Sequence, residues 1–234
     1  MPTPSGPHIP LSKLPNFDPR EVPVVGVDGH LPAVDAARLT PQALRARFAA
    51  PPVWTPELRS EPRFTDRAPA AAAVLVPVVR RDRPTLLLTQ RTAHLSTHSG
   101  QIAFPGGKVD PDDRDAAHTA LREANEEVGL DPVHVDVLGT LPTYTTGTQF
   151  LITPVVALVE AQAHLSPNAN EVADVFEVPL DFLMNPAHHR RHAMEVAGTQ
   201  REWFSMPWHD GRTERFIWGA TAGMLRNLYR FLGA

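Results

Sequence analysis

The sequence predicts a mixed α/β or α+β fold in which a β-sheet is sandwiched between α-helices. Its 234 residues are 42% hydrophobic, which is enough for one ordinary core. From Ala70 onward, short apolar runs that are typical of strands alternate with helical periodicity. Before that point the chain is rich in proline and has little periodicity. We therefore predict an N-terminal arm, residues 1–65, followed by one domain, residues 66–234.

The N-terminal arm contains one segment with the signals of a short helix, Thr40–Ala49. Thr40 suits the N-cap and Pro41 suits the first helical position. Much of the remaining arm favours extended backbone, because many of its residues precede a proline. Two alternatives stay open for the arm: a tail that is disordered or lies on the surface, and a segment that forms a homodimer.

Seven apolar runs predict the strands of the domain. A polar turn containing Pro84 separates the first two, and the third precedes a pair of glycines. The sixth predicts a strand that leads into a short helix. The runs are Ala71–Val79, Thr85–Arg91, Gln101–Phe104, Val133–Leu141, Phe150–Val159, Glu171–Leu183 and Arg201–Trp208.

Helical periodicity begins near Asp113, where apolar residues recur at intervals of four, three and four. Gly129 fits the C-terminal cap of this helix. A second amphipathic pattern, Ile217–Leu232, predicts a closing helix. The apolar stripe of the first helix consists of Ala117, Leu121, Ala124 and Val128.

Three glutamates crowd into the second half of this helix, at positions 123, 126 and 127. Positions i, i+3 and i+4 share a helix face, so their like charges repel unless a neighbour compensates. A divalent cation such as Mg²⁺ can do so, because it prefers oxygen ligands. Gly107 lets a backbone carbonyl approach the same ion, and Arg122 can pair with one carboxylate. A solvated acidic helix face is the alternative.

Composition excludes several classes of function. The net charge of −4 gives no field that favours nucleic acid or acidic membranes. The absence of cysteine excludes disulfides and thiolate chemistry. The first residues lack the apolar run of a signal peptide, and no stretch is apolar enough to span a bilayer, so we expect a cytoplasmic protein. The segment Ala187–His192 is rich in histidine and arginine, and we expect it to be an exposed loop.

The segment Gly107–Leu130 resembles the Nudix box, G-x5-E-x7-R-E-U-x-E-E-x-G-U, where U is a bulky aliphatic residue. The second half of the box is present from Arg122 to Leu130, and Gly107 matches its first glycine. The intervening loop is one residue longer here. In place of the first glutamate, whose role in the family is usually structural, the loop carries Asp112, Asp113 and Asp115.

An upstream motif is similar to the coenzyme A pyrophosphatase branch of the Nudix hydrolases. That branch has L-T-x-R-(S/T)-x-x-L followed by H-x-G-(E/Q)-x-x-F-P-G-G. The closing helix also resembles this branch, so the resemblance covers roughly Ala70 to Leu232. The matching residues are Leu88, Thr89, Arg91, Thr92, Leu95, His98, Gly100, Gln101, Phe104, Pro105, Gly106 and Gly107.

The resemblance implies a Nudix fold, a mixed sheet between helices, and a hydrolase that depends on Mg²⁺ or Mn²⁺. In this branch water attacks the pyrophosphate of coenzyme A and gives 3′,5′-ADP and 4′-phosphopantetheine. Arg122 is implied to orient a glutamate of the catalytic site. The metal ligands that the resemblance implies are Glu123, Glu126, Glu127 and the carbonyl oxygen of Gly107.

Four further residues are candidates for substrate binding or proton transfer. Arg91 and Lys108 can contact the pyrophosphate or the 3′-phosphate, since arginine binds phosphate bidentately and lysine acts as a point charge. His98, in the upstream motif, can hydrogen-bond the substrate. Glu171 occupies a position at which Nudix enzymes often carry a catalytic base or an extra metal ligand. For each residue, a structural or surface role is the alternative.

Two other functions stay open. Nudix hydrolases of other nucleoside diphosphate derivatives cleave ADP-ribose, NADH or dinucleotide polyphosphates, and specificity of this kind lies in loops. A non-catalytic nucleotide sensor on the same fold is the third possibility. Sensors of this kind usually lose the glutamates of the box, which this chain keeps.

Overall fold

The computed structural model describes residues 17–63, 65–92, 100–196 and 198–234. Within these ranges the chain forms twelve β-strands and four α-helices, with short 3₁₀-helices at 36–39, 132–134 and 186–188. None of the helices described there is long and apolar enough to cross a membrane. The elements are β1 (Val24–Val27), α1 (Pro41–Ala49), β2 (Ala70–Val79), β3 (Thr85–Arg91), β4 (Ile102–Ala103), β5 (Gly106–Lys108), α2 (Ala116–Val128), β6 (Val135–Thr140), β7 (Tyr144–Thr145), β8 (Phe150–Val159), β9 (Val172–Pro179), α3 (Leu180–Leu183), β10 (Arg190–Val196), β11 (Thr199–His209), β12 (Glu214–Trp218) and α4 (Gly219–Gly233).

The larger of two sheets has a parallel pair of strands at its centre. Strands β2 and β8 run side by side, in register from Ala70 opposite Phe150 to Val79 opposite Val159. The other pairings are antiparallel. Strand β3 pairs with β2, β4 and β9, while β6 and β7 pair with β8. The short strand β5 also pairs with β2, which brings Gly107 next to the central strands.

Both faces of the larger sheet are covered, and this explains why β2 and β8 are apolar at successive positions. On one face, α2 packs through Ala120 and Ala124 against a cluster that includes Leu75. On the other face, Val76 belongs to the main core, which also contains Leu225 of α4. The structure therefore confirms the predicted α+β class, with a mixed sheet between helices.

The second sheet is antiparallel, in the order β1-β10-β11-β12, and its first strand comes from the N-terminal arm. Helix α1 is the predicted helix of the arm, and the Thr40 hydroxyl accepts a hydrogen bond from the Ala43 N–H at 3.2 Å, as expected of an N-cap. The described part of the arm therefore packs on the rest of the chain. The arm residues that belong to the main core or pack against it are Val34, Leu39, Leu44, Phe48, Trp54 and Leu58.

An ionic network fastens the arm to the second sheet and to α4. Asp28 is 4% exposed and accepts hydrogen bonds from Arg191 at 2.9 and 3.0 Å. It also lies 2.8 Å from Arg226, which donates to Glu57 at 2.8 Å. Because a buried charge left without its partner typically costs about 3–5 kcal/mol, this network holds the arm in place.

The prediction of an exposed loop at Ala187–His192 is wrong. Residues 186–188 form a 3₁₀-helix and β10 begins at Arg190. His189 and His192 are buried, at 0% and 2% exposure. Each ring has two hydrogen-bond partners: His192 contacts the Val22 carbonyl and the Ser205 hydroxyl. Val22 lies 170 residues from His192, and Arg226 lies 37 residues from His189, so local composition gives no sign of these two contacts.

His189 is held in one neutral tautomer. Its Nε2 donates to the Leu183 carbonyl at 2.8 Å, and its Nδ1 accepts from Arg226 at 3.1 Å. Burial, followed by the charge of Arg226, lowers the pKa of His189 to about 4, against the contribution of the Leu183 carbonyl, which raises it. The unfolded chain therefore takes up a proton at this residue at a higher pH than the folded chain does.

We expect His189 to make the protein less stable as the pH falls from about 6.5 to about 4. Only the unfolded state binds the extra proton in this window, so the loss reaches about 3 kcal/mol at the lower limit. Urea denaturation of the wild type and of His189→Gln between pH 7 and pH 4 checks this. Glutamine can keep both hydrogen bonds without titrating, so the stability difference between the two proteins should change with pH. A constant difference would contradict the assignment.

Candidate active site

Helix α2 begins and ends where its capping residues place it. The Asp115 carboxylate accepts a hydrogen bond from the His118 N–H at 2.8 Å, which satisfies a free donor of the first turn. Gly129 has φ of +67°, the left-handed conformation that closes many helices. The glutamates therefore lie in the last two turns of a helix with fixed ends.

The buried face of α2 differs from the predicted stripe by a small rotation. Ala120, Ala124 and Val128 are fully buried, whereas Ala117 and Leu121 lie at the edge of the contact. The rotation turns Glu127 toward the sheet, and only 4% of this residue is exposed. The three glutamates thus have different environments: Glu127 is buried, the Glu123 side chain is 18% exposed and that of Glu126 is 56% exposed.

Of the three aspartates in the loop that lacks the first glutamate of the box, Asp113 is the one that pairs with Arg122 through short hydrogen bonds. Arg122 donates to it twice, from Nε at 3.1 Å and from Nη2 at 2.9 Å, and the Asp113 side chain is only 1% exposed. These hydrogen bonds hold the pKa of Asp113 well below its usual range. Arg122 also donates to the Lys108 carbonyl at 3.1 Å. The bidentate pair therefore ties the acidic loop and β5 to α2, while Asp115 serves as the cap and Asp112 is exposed.

Arg122 also contacts two of the three glutamates, as its position in the sequence suggested. Its Nη1 donates to Glu123 Oε1 at 3.0 Å and to Glu126 Oε2 at 3.2 Å. One guanidinium thus links the Asp113 loop to both carboxylates. Asp113 holds the other edge of the guanidinium, so Arg122 presents Nη1 to the glutamates in one orientation.

Gly107 lies directly beneath the Glu123 carboxylate. A Cβ atom on residue 107 would lie 2.4 Å from the Glu123 carboxyl carbon and 2.5 Å from both of its oxygens. Gly106 is equally restricted, since a Cβ there would lie 2.4 Å from the Ala73 carbonyl oxygen. The two glycines therefore let β5 approach both β2 and the carboxylate closely.

Glu127 is a buried carboxylate with two partners. Its Oε2 accepts a hydrogen bond from the Gly106 N–H at 3.2 Å, and its Oε1 lies 3.5 Å from Arg91 Nη1. Burial raises the pKa of Glu127 to about 7, and the negative charges of Glu123 and Glu171 add to this effect. Burial likewise raises the pKa of Glu123. Burial is the main cause of both pKa shifts, and the charges of neighbouring carboxylates add to each of them.

A cleft of about 1030 Å³ opens between the two sheets, and the candidate residues meet along it. Its wall on the side of the larger sheet contains all but three of the predicted site residues. The opposite wall contains aromatic side chains of the second sheet, among them Trp203 and Trp218, and residues of the arm between positions 57 and 62, all except Arg59. The predicted residues that line the cleft are Arg91, Gly107, Lys108, Glu123, Glu127 and Glu171.

The three remaining candidates have different positions. His98 lies outside the described residues. Arg122 and Glu126 do not line the cleft, and Arg122 links Glu126 to Glu123 through hydrogen bonds to both carboxylates. The arm residues of the cleft and the aromatic wall were missed by the sequence interpretation. Only the tertiary packing of the arm and of β11 brings them to the cleft.

One end of the cleft, where Glu123 and Glu127 lie, is called the acid end. Its side chains suit a hard divalent cation. All the candidate ligands are oxygen atoms, which Mg²⁺ and Mn²⁺ prefer over nitrogen or sulfur. In the described part of the chain, no three acid or histidine side chains already converge on one point. Glu123 and Glu126 instead share Arg122. The buried carboxylate of Glu127 and the partly buried one of Glu123 nevertheless fit a cation, which would stabilise their ionised forms.

Comparison with known proteins identifies the family. The NUDIX domain model matches residues 69–197. The chain is 45% identical over 165 residues to the uncharacterized Nudix hydrolase NudL of Citrobacter koseri, covering 69% of this chain and 82% of the relative. It is 42% identical to the uncharacterized Nudix hydrolase NudL of Escherichia coli K12, with the same coverage.

The chain also matches solved structures of Nudix proteins, among them the following two. A Nudix hydrolase from M. smegmatis, RenU, has 28% identity and a TM-score of 0.40, covering 49% of this chain and 72% of that chain. A C. elegans Ap4A hydrolase in a binary complex has 21% identity and a TM-score of 0.42, covering 50% and 85%. Because the domain model spans more than half of the chain and NudL is matched over most of its length, the chain belongs to the Nudix hydrolase family.

Proposed function

We propose that the protein hydrolyses the pyrophosphate bond of coenzyme A, or of its derivatives, to 3′,5′-ADP and 4′-phosphopantetheine. One observation carries the proposal: the motif that resembles the coenzyme A branch lies in the wall of the acid-lined cleft. Five residues of the motif line the same cleft as Glu123 and Glu127: Arg91, Gln101, Phe104, Gly106 and Gly107. The residues of the branch motif are therefore adjacent to the carboxylates that serve the reaction.

The acid end of the cleft is proposed to hold Mg²⁺ or Mn²⁺. When bound there, the cation neutralises charge on the phosphate oxygens and lowers the pKa of water. Arg122 keeps two of the proposed ligands in place, and Asp113 keeps Arg122 in place. The proposed ligands are Glu123, Glu126, Glu127 and the Gly107 carbonyl.

Cationic side chains near the carboxylates are proposed to bind the substrate. The Arg91 side chain is 28% exposed on the cleft wall, and its contact with Glu127 keeps the guanidinium beside the acid end. Lys108 is exposed, with Nζ 5.8 Å from the centre of the Phe150 ring. A pyrophosphate that bridges Arg91 and Lys108 would lie against the carboxylates. We retain His98 as a proposed hydrogen-bond partner of the substrate.

Glu171 is proposed to accept a proton from the attacking water. The water oxygen forms a bond to phosphorus while the bond from that phosphorus to the bridging oxygen breaks. The proton passes to the Glu171 carboxylate, and the leaving phosphate departs as a phosphomonoester. Attack at either phosphorus of coenzyme A gives the same two products. Glu171 lines the cleft with Glu123 and Glu127, so the proposed acceptor faces the space that the pyrophosphate occupies.

The direct test is to incubate the purified protein with Mg²⁺ and coenzyme A and to identify the products by mass spectrometry. We expect 3′,5′-ADP and 4′-phosphopantetheine in equal amounts from the wild type. Glu126→Gln is the matched control, because this side chain is mostly exposed and the change leaves the core intact. Its rate should fall by a factor of about 100 or more, as expected for a lost ligand or a lost electrostatic partner.

Other outcomes of the same experiment assign another function. Faster cleavage of ADP-ribose, NADH or a dinucleotide polyphosphate would replace coenzyme A by another nucleoside diphosphate substrate. Binding of these compounds in the presence of Mg²⁺ without turnover of any would indicate a nucleotide sensor. A small-molecule substrate, a cytoplasmic location and a homodimer belong to the same proposal.

A further inference from the structure

The turn before β9 joins α2 to Glu171 through a single residue, Asn168, which uses both its backbone and its side chain. The Asn168 N–H donates to the Glu127 carbonyl at 2.9 Å, and the Asn168 carbonyl accepts from the Glu171 N–H at 2.9 Å. A neighbouring hydrogen bond, from Ser166 N–H to the Val128 carbonyl at 2.8 Å, fixes the same turn to the end of α2. The backbone of this turn is therefore tied directly to the residues of the proposed metal site.

The side-chain amide of Asn168 has one possible orientation. The Asn170 N–H donates to Asn168 Oδ1 at 3.1 Å, so the oxygen must face that donor. The nitrogen Nδ2 then faces Glu171 and donates to its Oε1 at 3.1 Å. Both ends of the amide are hydrogen-bonded, so Nδ2 cannot rotate away from the Glu171 carboxylate.

Glu171 is also fixed from the opposite direction. Thr92, at the end of β3, donates from its N–H to the Glu171 carbonyl at 3.1 Å and from its hydroxyl to the Asn170 carbonyl at 3.2 Å. These bonds place the Glu171 backbone but do not touch its carboxylate. Among the described residues, Asn168 is the one that hydrogen-bonds the carboxylate itself.

We propose that Asn168 is a positioning residue that aims the Glu171 carboxylate into the cleft, where Glu171 accepts the proton of the attacking water. This inference rests on the proposed function. Asn168 Nδ2 occupies one oxygen of the carboxylate and leaves Oε2 for the water. Asn168 does not itself line the cleft, so it acts through Glu171 and has no contact with the reacting atoms.

The substitution Asn168→Asp tests this role. It keeps the size of the side chain and an oxygen that accepts from Asn170, but it replaces the donor that faces Glu171 by a second oxygen. We expect kcat to fall about 10- to 100-fold, as for other residues that orient a reacting group, with little change in KM. The melting temperature should stay close to that of the wild type, because the backbone bonds of the turn remain. Asn170→Asp is the matched control, since it adds the same charge two residues away on an exposed side chain that makes no hydrogen bond to a described residue.

A double-mutant cycle with Glu171→Gln separates positioning from a structural role. In the Glu171→Gln protein, whose own activity should be low, Asn168→Asp is expected to have no further effect on kcat. Asn168→Ala in the same cycle provides an independent readout if the aspartate variant folds poorly. The assay is cleavage of coenzyme A with Mg²⁺.

The outcomes are distinct. Equal losses from Asn168→Asp in both backgrounds, or full activity of Asn168→Asp beside a defective Glu171→Gln, would overturn the inference and leave the proposed function standing. Full activity of Glu171→Gln would overturn the inference together with the proton-acceptor role. The absence of any cleavage by the wild type would overturn the inference together with the proposed function.

Discussion

Replacing Glu127 by glutamine is expected to make the metal-free protein more stable near neutral pH while it abolishes catalysis. Only 4% of Glu127 is exposed, and burial raises its pKa to about 7, well above its ordinary value of 4.5. Ionising this residue in the folded protein is therefore costly. Glutamine has the same shape, carries no charge, and can still accept the hydrogen bond from the Gly106 N–H.

The sign of the pH dependence follows from the raised pKa. Below about pH 4.5 the residue is protonated in both the folded and the unfolded protein, so it costs nothing. As the pH rises to about 7 the unfolded chain releases the proton first, and the folded state loses up to about 3 kcal/mol. The advantage of Glu127→Gln over the wild type should therefore be small near pH 4.5 and approach this value near pH 8, in buffer that contains a chelator.

Denaturation curves of both proteins at several pH values measure this difference. Glu126→Gln is the control, because its side chain is mostly exposed and should show no comparable gain. Addition of Mg²⁺ at pH 8 should stabilise the wild type more than Glu127→Gln, since a ligand that binds only the folded state stabilises it. A Glu127→Gln protein that is less stable than the wild type at pH 8, or that keeps its activity, would contradict this account of the site.

A methyl group added at Gly107 is expected to lower activity at nearly unchanged stability, whereas one added at Gly106 is expected to lower stability. At Gly107 the new Cβ meets the flexible end of Glu123, 2.4 Å from its carboxyl carbon. The side chain can swing aside, so the fold should survive while a proposed metal ligand is displaced. Since a displacement of about 1 Å can cost a factor of about 100, Gly107→Ala should lose at least that much activity at nearly unchanged stability.

At Gly106 the same methyl group meets backbone that cannot move aside. Its Cβ would lie 2.4 Å from the Ala73 carbonyl oxygen and 2.6 Å from the Val74 Cα, both in the central strand β2. We expect Gly106→Ala to lower the free energy of unfolding by about 2–5 kcal/mol, from overpacking and backbone strain together. Urea denaturation and kcat, measured on both variants, check the pair. Equal stability losses at the two positions, or an active Gly107→Ala, would be inconsistent with this geometry.

Much of the fold could be predicted from local pattern. The seven apolar runs are strands in the structure, and the periodic segments are α2 and α4, because a buried sheet and an amphipathic helix leave periodic signals in sequence. The missed strands are short or polar. Strand β10 begins with charged residues, Arg190 and Arg191, and the partner of Arg191 is Asp28, far away in the arm. The division of the chain at residue 65 stays a prediction.

The site was predictable where its residues are close in sequence. The three glutamates and Arg122 lie between positions 122 and 127 of one helix, so helical spacing is enough to group them, and Gly107 stands shortly before that helix. The roles of Asp113 and Asn168 depend on hydrogen bonds that only the folded turns create. Composition likewise gives no indication that the arm residues of the cleft and β11 form its far wall.

The most direct test of the central claim is the position of the metal. Crystals of the protein grown with Mn²⁺, measured at a wavelength where manganese scatters anomalously, locate the ion without reference to activity. We predict an anomalous peak at coordination distance from carboxylate oxygens of Glu123, Glu126 and Glu127 and from the Gly107 carbonyl, and no such peak in Glu123→Gln. A peak elsewhere in the protein, or an equal peak at this position in Glu123→Gln, would contradict the claim that these residues form the metal site of the hydrolase.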